Sequence, residues 1–220
     1  MDRASARWLA ASIVLGCCLG PARAEVLVEH GTPMRYRANA SNPGIGMAWA
    51  AMGFDDSSWS SGVYGVGYDS DPAALPLIEA PVPEGTASVY TRAVFQIADV
   101  GAIGRLVLGA DWDDGFVAII NGVEVFRSPQ MPGGALAWNS PAALHESSNG
   151  FPPDYGTPID ITAAAMPWLV NGANVLAVEV HQVSAKSADL RFDLELQDGA
   201  GQTLVPSGST WRYDDSGRDP

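Results

Sequence analysis

Alternation of apolar and polar positions runs through much of this chain, and helical periodicity is nearly absent. In ASVYTRAVFQI (87–97), Val89, Thr91, Ala93, Phe95 and Ile97 fall on one face, and Tyr90, Arg92, Val94 and Gln96 on the other. Successive strand side chains point to opposite faces, so this period predicts a strand. DLRFDLELQ (189–197) repeats the pattern, with Leu190, Phe192, Leu194 and Leu196 inward and Arg191, Asp193 and Glu195 outward. RLVLGA (105–110) sets Leu106, Leu108 and Ala110 together. NVLAVEVHQV (174–183) is apolar on both faces over its first half, then polar at Glu179 and His181, which share a face. That predicts a central strand whose far end meets solvent or a polar partner. Segments 116–120 and 124–127 flank Asn121-Gly122, the dipeptide suited to positive φ at both central residues of a hairpin turn.

With segments 26–29 and 34–37, seven to nine strands are expected, joined by Gly- and Pro-rich loops. The fold class is all-β, an antiparallel β-sandwich or jelly roll. One short helix is expected in TAAAMPWLV (162–170), where Thr162 can cap and Pro167 limits the length. The stretch 128–156 has no period and holds Pro129, Pro132, Gly133, Gly134, Pro141, Gly150, Pro152 and Pro153. Loops that long are uncommon in compact domains and often carry function.

The N-terminus changes the picture of where the protein works. Arg3 and Arg7 flank a short apolar run, and Ala22-Arg23-Ala24 is an A-x-A site, so a signal peptide over 1–24 and a secreted or periplasmic chain are expected. Val14-Leu15-Gly16-Cys17 offers lipoprotein processing at Cys17 as the alternative. The apolar run falls short of the about 20 residues of a membrane span, and no other stretch approaches it. Cys17 and Cys18 both lie in this segment, so cleavage after Ala24 leaves neither disulfide nor thiolate chemistry. Cleavage also takes the chain from 12 basic and 25 acidic residues to 9 and 24, with Lys186 the only lysine. So acidic a surface disfavours nucleic acid and anionic lipid as partners, and it suits solubility or a hard cation.

Four pieces together resemble one known module: GFDDSSWSSGVYGVGY (53–68), ADWDDGFVAIINGVEVFR (110–127), NGANVLAVEVHQ (171–182) and SADLRFDLEL (187–196). They are similar to the galactose-binding-domain-like jelly roll of secreted multidomain bacterial proteins. The resemblance implies adjacent domains, often extracellular metallophosphatases, lamin-tail-type domains or glycan-active enzymes. It spans roughly 26–196 and implies a fold rather than one activity. Within the first piece, Phe54 and Trp59 can pack inward around a turn satisfied by Asp55, Asp56 and the serines. Gly62, Gly65 and Gly67 permit close backbone approach or positive φ.

Candidate chemistry concentrates in Asp111-Trp112-Asp113-Asp114. Asp111, Asp113 and Asp114 could offer oxygens to a structural Ca²⁺. Equally, their carboxylates could bond to backbone N–H groups of a turn. Trp112, Trp138 and Tyr155, with Asp113 and Asp114 accepting hydroxyl protons, form a candidate glycan or polymer surface, or else pack loops onto the sandwich. Trp49, Trp59 and Trp168 read as core. Of the three histidines, His181 can pair with Glu179, and His145-Glu146 could reach a metal only if distant carboxylates converge. G-x-S-x-G, G-x-x-x-x-G-K-[ST] and H-E-x-x-H motifs are absent, so catalysis by this chain is not expected.

Three functions remain in order: a carbohydrate- or polymer-binding accessory module, a structural spacer or docking domain of a larger extracellular hydrolase, and a hydrolase in its own right. The expected organisation is 1–24 signal peptide, 25–200 sandwich, and 201–220 the linker and start of a truncated second copy. Leu204, Val205, Gly208, Arg212, Tyr213 and Pro220 repeat Leu27, Val28, Gly31, Arg35, Tyr36 and Pro43 at one constant offset.

Overall fold

The computed structural model describes residues 24–199. The segment expected to be a signal peptide and the repeated phrase expected at 201–220 lie outside the described residues. Twelve strands occur among those described: β1 (Glu25–Val28), β2 (Pro33–Asn39), β3 (Ser60–Val63), β4 (Val66–Tyr68), β5 (Ala80–Pro81), β6 (Ser88–Ile97), β7 (Leu106–Asp113), β8 (Gly115–Ile120), β9 (Val123–Arg127), β10 (Ile159–Asp160), β11 (Gly172–His181) and β12 (Leu190–Asp198). The number exceeds seven to nine because β3, β4, β5 and β10 are too short to display a period. The helix α1 (Thr162–Ala165) runs into a 3₁₀ turn at Met166–Trp168 around Pro167. Ile161, not Thr162, occupies the cap position; the Thr162 hydroxyl instead accepts from the Leu106 N–H at 2.9 Å.

The strands form two sheets. The first runs β10-β7-β12-β4-β5, with β1 also on β12; the second runs β3-β2-β6-β11-β8-β9. Every pairing is antiparallel except β4 with β5. Strand β12 shares one edge between two partners, β4 at Leu190–Phe192 and β1 at Leu196–Asp198. Gly67 permits this crossing: a Cβ there would stand 2.0 Å from the Leu190 carbonyl oxygen.

The inward residues of the alternating segments meet between the sheets. Val89, Ala93, Phe95 and Ile97 from β6 face Leu190, Phe192, Leu194 and Leu196 from β12, all buried. A second apolar cluster lies on the outer face of the second sheet. There Trp49 and Trp59 cover Tyr90, Val117, Ile119, Val175 and Ala177, with Trp49 stacked on Tyr90 at 4.3 Å. Being covered on both faces explains why β8 and the Val175–Val178 stretch of β11 are apolar. The Phe54–Trp59 turn closes this cover. Asp55 accepts from the Ser57 N–H at 3.0 Å, and Asp56 holds buried Arg92 at 2.7 Å. Trp168 is an exception to the expected core, at 48% exposure, because Pro167 confines its segment to a surface turn.

Asn121 and Gly122 adopt φ of 52° and 91° and close β8 onto β9 with Ile120 opposite Val123. The Asn121 amide donates to the Trp168 carbonyl and to Asn174, both at 2.8 Å, and its oxygen accepts from the Val175 N–H at 2.8 Å. Asn121→Ala is expected to lose about 2 kcal/mol, through a left-handed residue without its local bonds, read as a lower urea midpoint at unchanged m-value.

Candidate functional site

Strand register decides which polar side chains share a face. Asp111 lies opposite Asp193, and Asp113 opposite Arg191, on β7 and β12. All four point away from the core, yet none is more than 3% exposed. Water is excluded by the long loop. Its first part, with Met131, Trp138 and Ala142, lies on the second sheet. It then turns the corner where β7 becomes β8, and its Ser148, Asp154 and Tyr155 lie on the first sheet.

Buried polar bonds hold this cover down. Asp111 accepts from the Ser148 N–H at 2.7 Å, the Ser148 hydroxyl at 2.5 Å and the Asp154 N–H at 3.1 Å. It also pairs with the Arg191 guanidinium at 2.8 Å, and Arg191 donates to the Ser148 carbonyl. Asp193 bonds to His30 Nδ1 at 2.5 Å and takes the Tyr155 hydroxyl at 3.5 Å. Asp114 accepts from the His145 N–H at 3.0 Å and the Val183 N–H at 2.6 Å. The His145 ring stacks on Trp112 at 4.3 Å and 4°. Its Nδ1 donates to the Trp112 carbonyl oxygen 3.0 Å away.

Asp113 differs from its neighbours. It is 3% exposed, and its Oδ1 has no hydrogen-bond partner. Ligand oxygens of Asp113, Glu146 and Asp189 lie within 4.8 Å of one another. Burial, reinforced by the charges of Asp114, Asp189, Glu146 and Asp69, pushes the Asp113 carboxyl up to about 8.

On the second sheet's outer face a groove of about 300 Å³ is lined by Asn42, Met47, Tyr90, Leu136, Trp138 and Glu179 among others. Tyr90 and Glu179 are register partners on β6 and β11. Glu179 is 3% exposed, and its carboxylate stands 3.5 Å from His181 Nε2, which makes no hydrogen bond. His181, wholly buried at the end of the central strand β11, places its Nδ1 3.0 Å from the Ser140 carbonyl oxygen. Burial and the Glu179 charge push the Tyr90 hydroxyl up to about 12.

The sequence-predicted residues are thus dispersed. Asp111 and Asp114 anchor the loop, Trp112 has one ring face covered by His145, and Tyr155 reaches over the first sheet to Asp193. Asp113 joins Glu146 and Asp189, and Trp138 alone of the candidate aromatics lines the groove. Glu179 and Tyr90 were not singled out as a ligand surface; their register across adjacent strands was the available signal.

No family model and no curated protein matches the sequence. Among solved structures the chain is similar to a β-glucuronidase of Bacteroides uniformis, at 14% identity and a TM-score of 0.48, covering 80% of this chain and 18% of that one. It is also similar to a β-glucuronidase of an uncultured Clostridium species, at 15% and 0.46, covering 82% and 30%. A glycosyl hydrolase family 2 member from Bacteroides cellulosilyticus follows at 12% and 0.43, covering 78% and 20%. The chain spans between 18% and 30% of the length of these proteins. No helix among the described residues is long and apolar enough to cross a membrane.

Replacing Arg191 by Met leaves Asp111 buried without its counter-charge. The expected loss is about 3–5 kcal/mol in chemical denaturation, with faster proteolytic cleavage inside 128–156. Asp113 has the opposite sign of effect. Its folded pKa stands above the unfolded value of 3.8, so its contribution is complete below that pH and is lost as pH rises to about 8. In chelator, Asp113→Asn should therefore flatten the fall of the urea midpoint between those pH values.

Proposed function

We propose that this chain is an exported, non-catalytic module that binds carbohydrate or a related polymer as an accessory domain of a larger extracellular protein, with Ca²⁺ as a structural cofactor. The observation that carries the reading is the groove over the second sheet. It brings the indole of Trp138, the ring of Tyr90, the amide of Asn42 and the carboxylate of Glu179 to one concavity. Sugars present C–H faces that stack on aromatic rings and hydroxyls that donate to carboxylates, so this mixture suits them. A volume of about 300 Å³ accommodates a short stretch of glycan rather than an extended chain. Glu179 is the one carboxylate lining the groove, whereas glycoside hydrolysis takes a flanking pair, and this supports binding over cleavage. Glutamate at that depth is placed to orient a hydroxyl instead of attacking an acetal.

The spacer reading draws on a different observation. Trp112 has one ring face covered by His145, and the Tyr155 hydroxyl is held toward Asp193, which reduces the aromatic surface free at the corner. The two readings separate on a glycan array followed by calorimetry. Trp138→Ala and Glu179→Gln should each weaken glycan binding about tenfold or more, consistent with loss of one stacking face or one charged hydrogen bond. Absence of binding to every glycan, with and without chelator, would leave the spacer.

A further inference from the structure

We infer that the cation of the reading above is held by Asp113, Glu146 and Asp189, and not by the contiguous run Asp111, Asp113 and Asp114. The inference rests on the Ca²⁺ part of that reading and assigns it a place. Three stretches distant in sequence meet there: the end of β7, the long loop and the turn before β12. Asp111 and Asp114 are already engaged with donors of the fold. Both oxygens of Asp114 accept backbone N–H groups, and Asp111 serves Ser148, Asp154 and Arg191.

Asp113 presents the reverse case. Its carboxylate is nine-tenths or more buried, its Oδ1 is unpartnered, and it faces two further carboxylates within 4.8 Å. A buried acceptor without a donor is costly, and like charges around it add to that cost. A divalent cation removes both at once. The donors are oxygen only, which selects a hard ion. Ca²⁺–oxygen bonds of about 2.3–2.6 Å bridge the observed spacing, and three carboxylates, some bidentate, leave room for water on the exposed side of Glu146. Mg²⁺ demands a near-ideal octahedron at about 2.0–2.1 Å and keeps most of its water, so three converging carboxylates fit it less well. Bound Ca²⁺ fastens the long loop at its corner, midway between the part on the second sheet and the part on the first.

The test uses the full chain, with the thermal midpoint and calorimetric titration read in chelator, Ca²⁺ and Mg²⁺. Ca²⁺ should raise the midpoint, chelator should reverse the rise, and Mg²⁺ should produce a smaller one. Asp113→Asn and Glu146→Gln should each abolish the rise. Glu25→Gln, an exposed acid whose partner Asp198 pairs with the opposite end of β7, should retain it. Glu146 is exposed, so its variant gives a folded readout even where Asp113→Asn fails to fold. No rise in the wild type, an equal rise with Mg²⁺, or a rise preserved in Glu146→Gln would overturn the assignment. The assay contains no glycan, so a module that binds no sugar leaves this inference standing, and loss of the cation site leaves the groove to be judged separately.

Discussion

A guanidinium with no solvent exposure holds the cover of this sandwich in place. Arg191 stands on the outer face of the first sheet, between Asp111 and the loop that lies above it. Charges taken out of water repay their desolvation only when geometry is good and the remaining donors and acceptors are satisfied. Here Asp111 gathers two backbone N–H groups and a hydroxyl besides the guanidinium, so the loop supplies most of the compensation, while Arg191 Nε is left without a partner. Pair and loop are therefore mutually dependent. Without the loop the pair would be an ordinary surface contact of small value. Without the pair the loop, rich in Pro and Gly and lacking a period, would have little to hold it. The wall of the groove and the convergence of carboxylates at the corner both descend from this placement.

Much of the architecture was legible because period two is a direct reading of strand geometry. Leu190, Phe192, Leu194 and Leu196 fell inward as their spacing requires, and Asn121-Gly122 made the turn that its tolerance of positive φ predicts. Alternation says which side chains face away from the core, but not what lies on top of them. Arg191 and Asp193 read as solvated and are buried, because a segment some forty residues earlier in the chain folds over them. Trp168 read as core and is half exposed, since a Pro-limited turn follows no period that would assign it a face. The short strands β3, β4, β5 and β10 were invisible for the same reason.

The candidate site illustrates a further limit of linear proximity. Three carboxylates within four residues look like one cluster on paper. In a strand, neighbouring side chains diverge, and at the crossing between sheets Asp114 is turned toward other partners altogether. Each aspartate meets a different set of donors: Ser148, Asp154 and Arg191 for one, His145 and Val183 for another, and none for the Oδ1 of Asp113. Its companions come from the loop and from the turn before β12, at separations that only the assembled fold reveals. Glu179 and Tyr90 likewise became neighbours through register between β6 and β11, which depends on the pairing of whole strands and not on either segment alone.

Strand β1 pairs with β12, and β7 depends on β12 for most of its length. The first described strand and the last are thus adjacent in space. For a polypeptide that emerges with the N-terminus leading, this adjacency imposes a waiting time. Val28 and Leu108 remain without their partner Leu196 until the last strand arrives, although Leu108 can already meet Ile159, and the carboxylates of β7 wait about as long for their guanidinium. Sheet closure is then a late, long-range event, the kind that slows folding and prolongs exposure of unpaired edges. Such a domain gains most from a holding chaperone until its last strand is in place.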